Sequence, residues 1–189
     1  MCSNRHPVKP ACPETSTLEL PAFLRGYSHP MPPTEEHPGI SNVADRLREL
    51  GATGEVRVLA DQARTAQQAA DGLGCDVGAI ANSLVFDADG TPVLILTSGA
   101  HRVDPAKVAA ALGYTALRRA TPEFVRHHTG QAIGGVSPVG HPTPIATYLD
   151  RSLAAYPVIW AAAGHSHAVF PSTYEELRRI TSAVEIEVN

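Results

Sequence analysis

The stretch Thr129-Gly-Gln-Ala-Ile-Gly-Gly-Val-Ser-Pro-Val-Gly140 holds four glycines and one proline in a dozen residues. Glycine tolerates positive φ and lets a ligand approach the main chain, while proline stiffens the exit. Successive N–H groups of such a loop can therefore point at a carbonyl or phosphate oxygen. A structural crossover loop uses the same composition, and spacing alone leaves both readings open. The stretch is neither GxxxxGK followed by Ser or Thr nor a GxGxxG directly after a strand, which argues against mononucleotide-phosphate binding of those kinds.

Histidine supplies the second cluster: His101, His127, His128, His141, His165 and His167 fall within 67 residues. That density invites a metal reading, but no HExxH occurs and no carboxylate stands at a ligand spacing, so surface or hydrogen-bonded histidine is the plainer expectation. Nucleophilic catalysis has little support. There is no GxSxG elbow, and Cys75 in Leu73-Gly-Cys-Asp-Val77 reads as a packed thiol. Arg102, Lys107, Arg118, Arg119 and Arg126 are scattered among capped helices and turns, where a solvated face competes with a nucleic-acid contact.

The elements that must position these residues follow from periodicity and punctuation. Ile40, Val43, Ala44, Leu47 and Leu50 predict an amphipathic helix, with Asn42 as N-cap and Gly51 as terminator. Val56 and Val58 alternate in a short strand, and Thr65 with Gln68 predicts a capped helix ending near Gly72 or Gly74. Ile80–Phe86 and Pro92–Thr97 flank Asp87-Ala-Asp-Gly90, a hairpin pattern. Asp104-Pro105 and Thr121-Pro122 open two helices that stop at Gly113 and Gly130. Strands are expected at Ile145–Leu149, Val158–Ala162, Ala168–Phe170 and Val184–Val188, with a helix capped by Ser172 and Glu175 before the last. The pattern is α+β rather than a strict βαβ repeat.

Composition bounds the rest. The 189 residues allow one ordinary domain plus spare chain, and 43% hydrophobic against 18% charged residues excludes wholesale disorder. With aromatics at 5%, the core must be aliphatic and alanine-rich. Half of the 16 prolines lie in residues 1 to 38, which read as a Pro-rich extension, leaving 39 to 189 as the domain. Three cysteines, Cys2, Cys12 and Cys75, fit neither a disulfide framework nor a thiolate zinc site. With no apolar run long enough to span a membrane and no compact secretory segment, a soluble cytoplasmic protein is expected, without a membrane or DNA partner. A net charge of -4 means that any nucleic-acid partner must be held by a local site.

Taken in order, the motifs from residue 40 onward resemble the YbaK/prolyl-tRNA synthetase-associated editing-domain family. The resemblance rests on Ile80-Ala-Asn-Ser-Leu-Val-Phe86, on Thr97-Ser-Gly-Ala-His-Arg-Val-Asp104, and on the GxxxP element Gly134-Gly-Val-Ser-Pro138. It extends through Leu149-Asp-Arg-Ser-Leu153 and Ala163-Gly-His165. It implies a strongly curved, barrel-like mixed sheet with surrounding helices, and an aminoacyl-tRNA deacylase that acts in trans on the ester of mischarged tRNA, without a metal or other cofactor. Its partners would be the aminoacylated end of tRNA and a synthetase. On this resemblance Gly134, Gly135, Ser137 and Pro138 form the loop that holds the ester, completed by Gly140. Asp150 and His165 line the aminoacyl pocket, and His101 and Arg102 contact the tRNA end. Asn82 stands where the family typically has lysine, and a neutral donor and acceptor replaces a point charge there. Asn82 has a plainer reading, a strand residue satisfied by neighbouring main chain. The rival function is a noncatalytic module that keeps the fold and binds a small molecule or protein.

Overall fold

The computed structural model describes residues 37–189. The expected Pro-rich extension, apart from its last two residues, lies outside them.

Helix α1 (Pro38–Glu49) opens one turn earlier than its apolar spacing suggests. His37 is the N-cap, its Nδ1 accepting the Gly39 N–H, with Pro38 in the first turn. Asn42 lies inside this helix, and its side chain donates instead to the Gly140 carbonyl at 2.8 Å. The two-residue strand β1 (Arg57–Val58) follows, then α2 (Ala66–Leu73), where Thr65 accepts the Gln68 N–H as the sequence predicts. Strands β2 (Ile80–Ala88) and β3 (Thr91–Ser98) pair antiparallel through only two turn residues, Asp89 and Gly90. Both have positive φ, 52° and 89°, the requirement of the tight hairpin turn that Asp-Gly favours.

Asp104 and Thr121 cap α3 (Pro105–Leu112) and α4 (Pro122–Thr129) as expected. Between them lies a strand the periodicity does not reveal, β4 (Arg118–Arg119). After the glycine-rich loop come β5 (Ala146–Asp150), β6 (Ile159–Ala162), β7 (Ala168–Ser172), α5 (Tyr174–Thr181) and β8 (Val184–Ile186). The cap of α5 is Thr173, which accepts the Glu176 N–H, one residue beyond the expected Ser172 and Glu175 pair. The Ser172 hydroxyl donates instead to the Glu176 carboxylate at 2.7 Å.

The strands form one mixed sheet in the order β1-β7-β6-β2-β3-β5-β8. β6 with β2, β3 with β5 and β5 with β8 run parallel, and the other neighbours antiparallel. The sheet is strongly curved but open, since its end strands β1 and β8 do not pair with each other. β3 gives one edge of β2 a continuous partner from Ala81 to Ala88. The other edge is shared. β6 takes Ile80 and Ala81, β4 takes Phe86 and Asp87, and Asn82 to Val85 have no strand on that side.

Alternation along the central strands divides the core. Leu94 and Leu96 face one apolar cluster with Leu149, Phe170 and Leu177, while Val93 and Ile95 face another with Phe86, Val108 and Val188. Leu96 is fully buried, so Leu96→Ala is expected to cost about 2–5 kcal/mol. Urea unfolding checks this, the midpoint falling while the slope is retained.

Candidate functional site

The unpaired stretch of β2 is the floor of the site, and the glycine-rich loop runs beside it. Ala132 accepts the Gly135 N–H at 3.0 Å, and Gly134, third residue of this turn, has φ 88° while Ile133 keeps an ordinary φ. That is the type II pattern, which needs glycine at its third position. The turn's tip, Ala132 to Gly134, is exposed, while Gly135 to Val139 are buried.

Three contacts hold the loop. A Cβ at Gly135 would lie 2.7 Å from the His165 main chain, so only glycine permits this approach. Gln131, buried, accepts the Ser137 N–H on its Oε1 at 2.6 Å, and Val136 and Val139 sink into the core. On the far side His141 Nε2 donates to the Ser137 carbonyl at 2.9 Å; burial of the ring lowers its pKa below the ordinary value, outweighing that bond, which raises it.

The loop tip and the open edge of β2 divide two hollows. The first, about 340 Å³, is lined by small and apolar groups including Ile80, Ala161 and Trp160, together with Asn82, Gly134 and His165. The second, about 450 Å³, is lined by Leu84, Phe86 and Val103 with His101 and Arg102. Asn82, Ser83, Leu84, Arg119, Ile133, Gly134 and Val136 border both. Gly134 and Val136 take part in no hydrogen bond among the described residues, so both N–H groups are unused where the two hollows meet. The Asn82 side chain, exposed, is likewise without a hydrogen bond there, contrary to the plainer reading that neighbouring main chain satisfies it.

His165 accepts the His167 N–H on Nδ1, which leaves its proton on Nε2. Burial, then the neighbouring His37 and His167, lower its pKa and keep it neutral. His101 belongs to the second hollow, and its Nδ1 lies 3.0 Å from Asp150 Oδ2. The same oxygen accepts the Ser98 N–H and the Thr97 hydroxyl, and Oδ1 accepts the Ser152 N–H. Asp150 is 2% exposed and lines neither hollow, so it orients His101 from behind. Burial alone would raise its pKa, but the hydrogen bonds from Ser152 and Ser98 and the nearby His101 outweigh it and hold the carboxyl below its usual range.

The structure therefore brings Asn82, Gly134, His165, His101 and Arg102 to adjoining hollows. Gly135 supports the loop from behind, and Ser137, with no exposure, is consumed in the loop's own hydrogen bonds. Pro138 and Gly140 line a different groove, facing α1 and α5. Sequence reasoning passed over Ser83, whose buried hydroxyl has no partner among the described residues, and left Arg119 among scattered basic residues without assigning it to the site. Recognising β4 would have marked the latter, because adjacent strand residues face opposite ways. Among the described residues no group of three or more His, Cys, Asp or Glu is arranged to hold a metal ion, and no helix is long and apolar enough to cross a membrane.

Comparison with known proteins bears on this geometry. Residues 60–180 match the family model described as the aminoacyl-tRNA editing domain. The chain is 30% identical over 151 residues to YwhH, an uncharacterized protein of Bacillus subtilis (strain 168), a match spanning 79% of this chain and 96% of that one. It is 34% identical over 73 residues to the proline-tRNA ligase of Geobacillus kaustophilus (strain HTA426), a match spanning 39% of this chain and 13% of the ligase. A crystal structure described as a candidate trans-editing enzyme for prolyl tRNA synthetase superposes with a TM-score of 0.77 at 42% identity, over 81% of this chain and 98% of that one.

Asp150 ties the ends of β3 and β5 to the His101 turn, so Asp150→Asn is expected to cost about 1–3 kcal/mol at neutral pH. Because the folded carboxyl has the lower pKa, the unfolded chain binds the proton first as pH falls. The wild-type advantage is full above the ordinary value of 3.8 and disappears as pH descends through the folded value. Unfolding free energies of both proteins across the acid range check this, and a gap independent of pH would contradict it.

Proposed function

The chain belongs to the aminoacyl-tRNA editing domain family, and from that premise we propose that it is an aminoacyl-tRNA deacylase acting in trans. The observation that carries the reading is the pair of unused N–H groups at Gly134 and Val136, fixed beside the open edge of β2. An ester carbonyl gains negative charge when water attacks it. Rigid main-chain donors stabilise that charge without reorganising, the largest single contribution in many acyl-transfer enzymes.

In this reading the aminoacyl group enters the smaller hollow among Ile80, Ala161 and Trp160, and the terminal nucleoside lies in the larger one by Leu84, Phe86 and His101. His165 Nε2–H within the smaller hollow and the Asn82 amide at the dividing wall offer neutral hydrogen bonds. Water adds to the ester carbon, the bond from that carbon to the ribose oxygen breaks, and free amino acid and uncharged tRNA leave. The donors are peptide groups and the substrate's neighbouring ribose hydroxyl assists the water, so the scheme requires no metal. Ser83 is an unactivated hydroxyl, with neither imidazole nor carboxylate bonded to it. A small hollow sorts amino acids by volume, one methylene being worth about 1–3 kcal/mol.

One observation favours a second reading. Asn82 carries no charge at the position where the resemblance implies a lysine, and its side chain has no partner among the described residues. A noncatalytic binder would keep the hollows and dispense with the cation. The substrate's tRNA, a synthetase partner and a cytoplasmic setting follow from the first reading only. The neighbour described in terms of prolyl tRNA synthetase puts mischarged proline tRNA first among substrates.

Purified protein should release amino acid from at least one member of a panel of mischarged tRNAs, unaffected by chelator. Gly134→Ala, strained at a φ of 88°, should lose at least about ten-fold in rate while still unfolding cooperatively, with stability lowered by no more than about 2 kcal/mol. Hydrolysis that appears only after Asn82→Lys would establish the binding module instead.

A further inference from the structure

Arg119 and its neighbour Arg118 form a two-residue strand on the edge of β2, where Arg119 stands opposite Phe86 and Arg118 opposite Asp87. Alternation sends their side chains to opposite sides of the sheet. Arg118 pairs with Asp89 at 3.1 Å. Arg119 has no ion pair or hydrogen bond among the described residues, yet it borders both hollows next to Asn82 and Gly134. The linings of the two hollows contain three cations, Arg64, Arg102 and Arg119, and no Asp or Glu. Arg64 is engaged with the Gln62 side chain at 3.1 Å. A protein of net charge -4 thus concentrates positive charge without counter-charge at one place.

We propose that Arg119 is a phosphodiester-binding residue, supplying from β4 the cation that Asn82 does not supply from β2. A planar guanidinium grips phosphate oxygens in pairs, whereas lysine offers a point charge, so the two need not share a position to serve one ligand group. At the wall between the hollows, Arg119 is placed to hold the backbone that enters with a terminal nucleoside. The identity of the ligand as a tRNA end rests on the deacylase reading; the placement of Arg119, without a partner among the described residues, at the wall between the hollows does not.

The test uses the full chain with a 5′-phosphorylated CCA trinucleotide and, separately, adenosine, which carries no phosphate. Arg119→Ala should weaken trinucleotide binding about ten-fold and lower the slope of log affinity against log salt by about 0.7. Adenosine affinity should be unchanged, and Arg118→Ala, which removes only an exposed ion pair, should bind like wild type. Asn82→Lys in the Arg119→Ala background should recover most of the loss. An Arg119→Ala protein that binds like wild type, an equal loss in Arg118→Ala, or a wild type that binds no trinucleotide would each overturn the proposal. If Arg119-dependent binding is found but no mischarged tRNA is hydrolysed, the phosphate site stands and the deacylase reading falls. If hydrolysis occurs and Arg119→Ala alters neither it nor binding, the reverse holds.

Discussion

A β-strand has two edges, and in this fold one edge of β2 is divided between two short partners that do not meet. β6 leaves after Ala81 and β4 arrives at Phe86, so four residues in the middle of a central strand have no strand on one side. Buried main chain is almost always paired, and a gap of this kind is stable only where side chains, loops or ligands attend to it. The two hollows open at that gap, and the residues bordering both of them come from the gap, from the loop beside it and, in Arg119, from β4.

The loop is useful because it is immobilised at its base and bare at its tip. Gly135 stacks on the His165 main chain, and Gly164 and Gly39 approach each other as closely, so the loop, the β6–β7 turn and the start of α1 form one main-chain stack without side chains between them. Gln131, His141 and Asn42 then satisfy the loop's polar groups from three directions. The N–H groups of Gly134 and Val136 are left without a partner among the described residues. Around these donors the side chains are neutral or cationic: His165 is held neutral, Asp150 is enclosed behind His101, and Arg119 lacks a counter-ion. The balance favours a ligand with carbonyl and phosphate oxygens over a cationic one.

Local chemistry was legible in the amino-acid sequence. Thr65, Asp104 and Thr121 cap the helices they precede because a cap is a bond between near neighbours, and Asp89-Gly90 specifies its own turn. The errors are of two kinds. Thr173 and Ser172 are adjacent hydroxyls, and only the direction of the chain decides which caps α5. Asn42 looks like a cap but sits inside α1, because Pro38 starts the helix sooner. The remainder is nonlocal. Asp150 meets His101 across 49 residues, and β4 is a strand only because the free edge of β2 is there to pair with it. The family resemblance named Gly134, Asn82 and His165, which line the first hollow, but it did not distinguish them from a residue such as Ser137 that holds the loop in place.

On the proposed reading the loop tip and the open edge of β2 form one ligand-binding surface. The most direct test is an amide-resonance titration of the full chain with a nonhydrolysable amide analogue of 3′-aminoacyl-adenosine. The largest shifts are expected on Asn82 to Leu84, Gly134, Val136 and His165, with Gly134 and Val136 moving as their N–H groups acquire an acceptor. Shifts confined to the groove between α1, Pro138–Thr147 and α5, with Gly134 and Val136 unmoved at saturation, would contradict it.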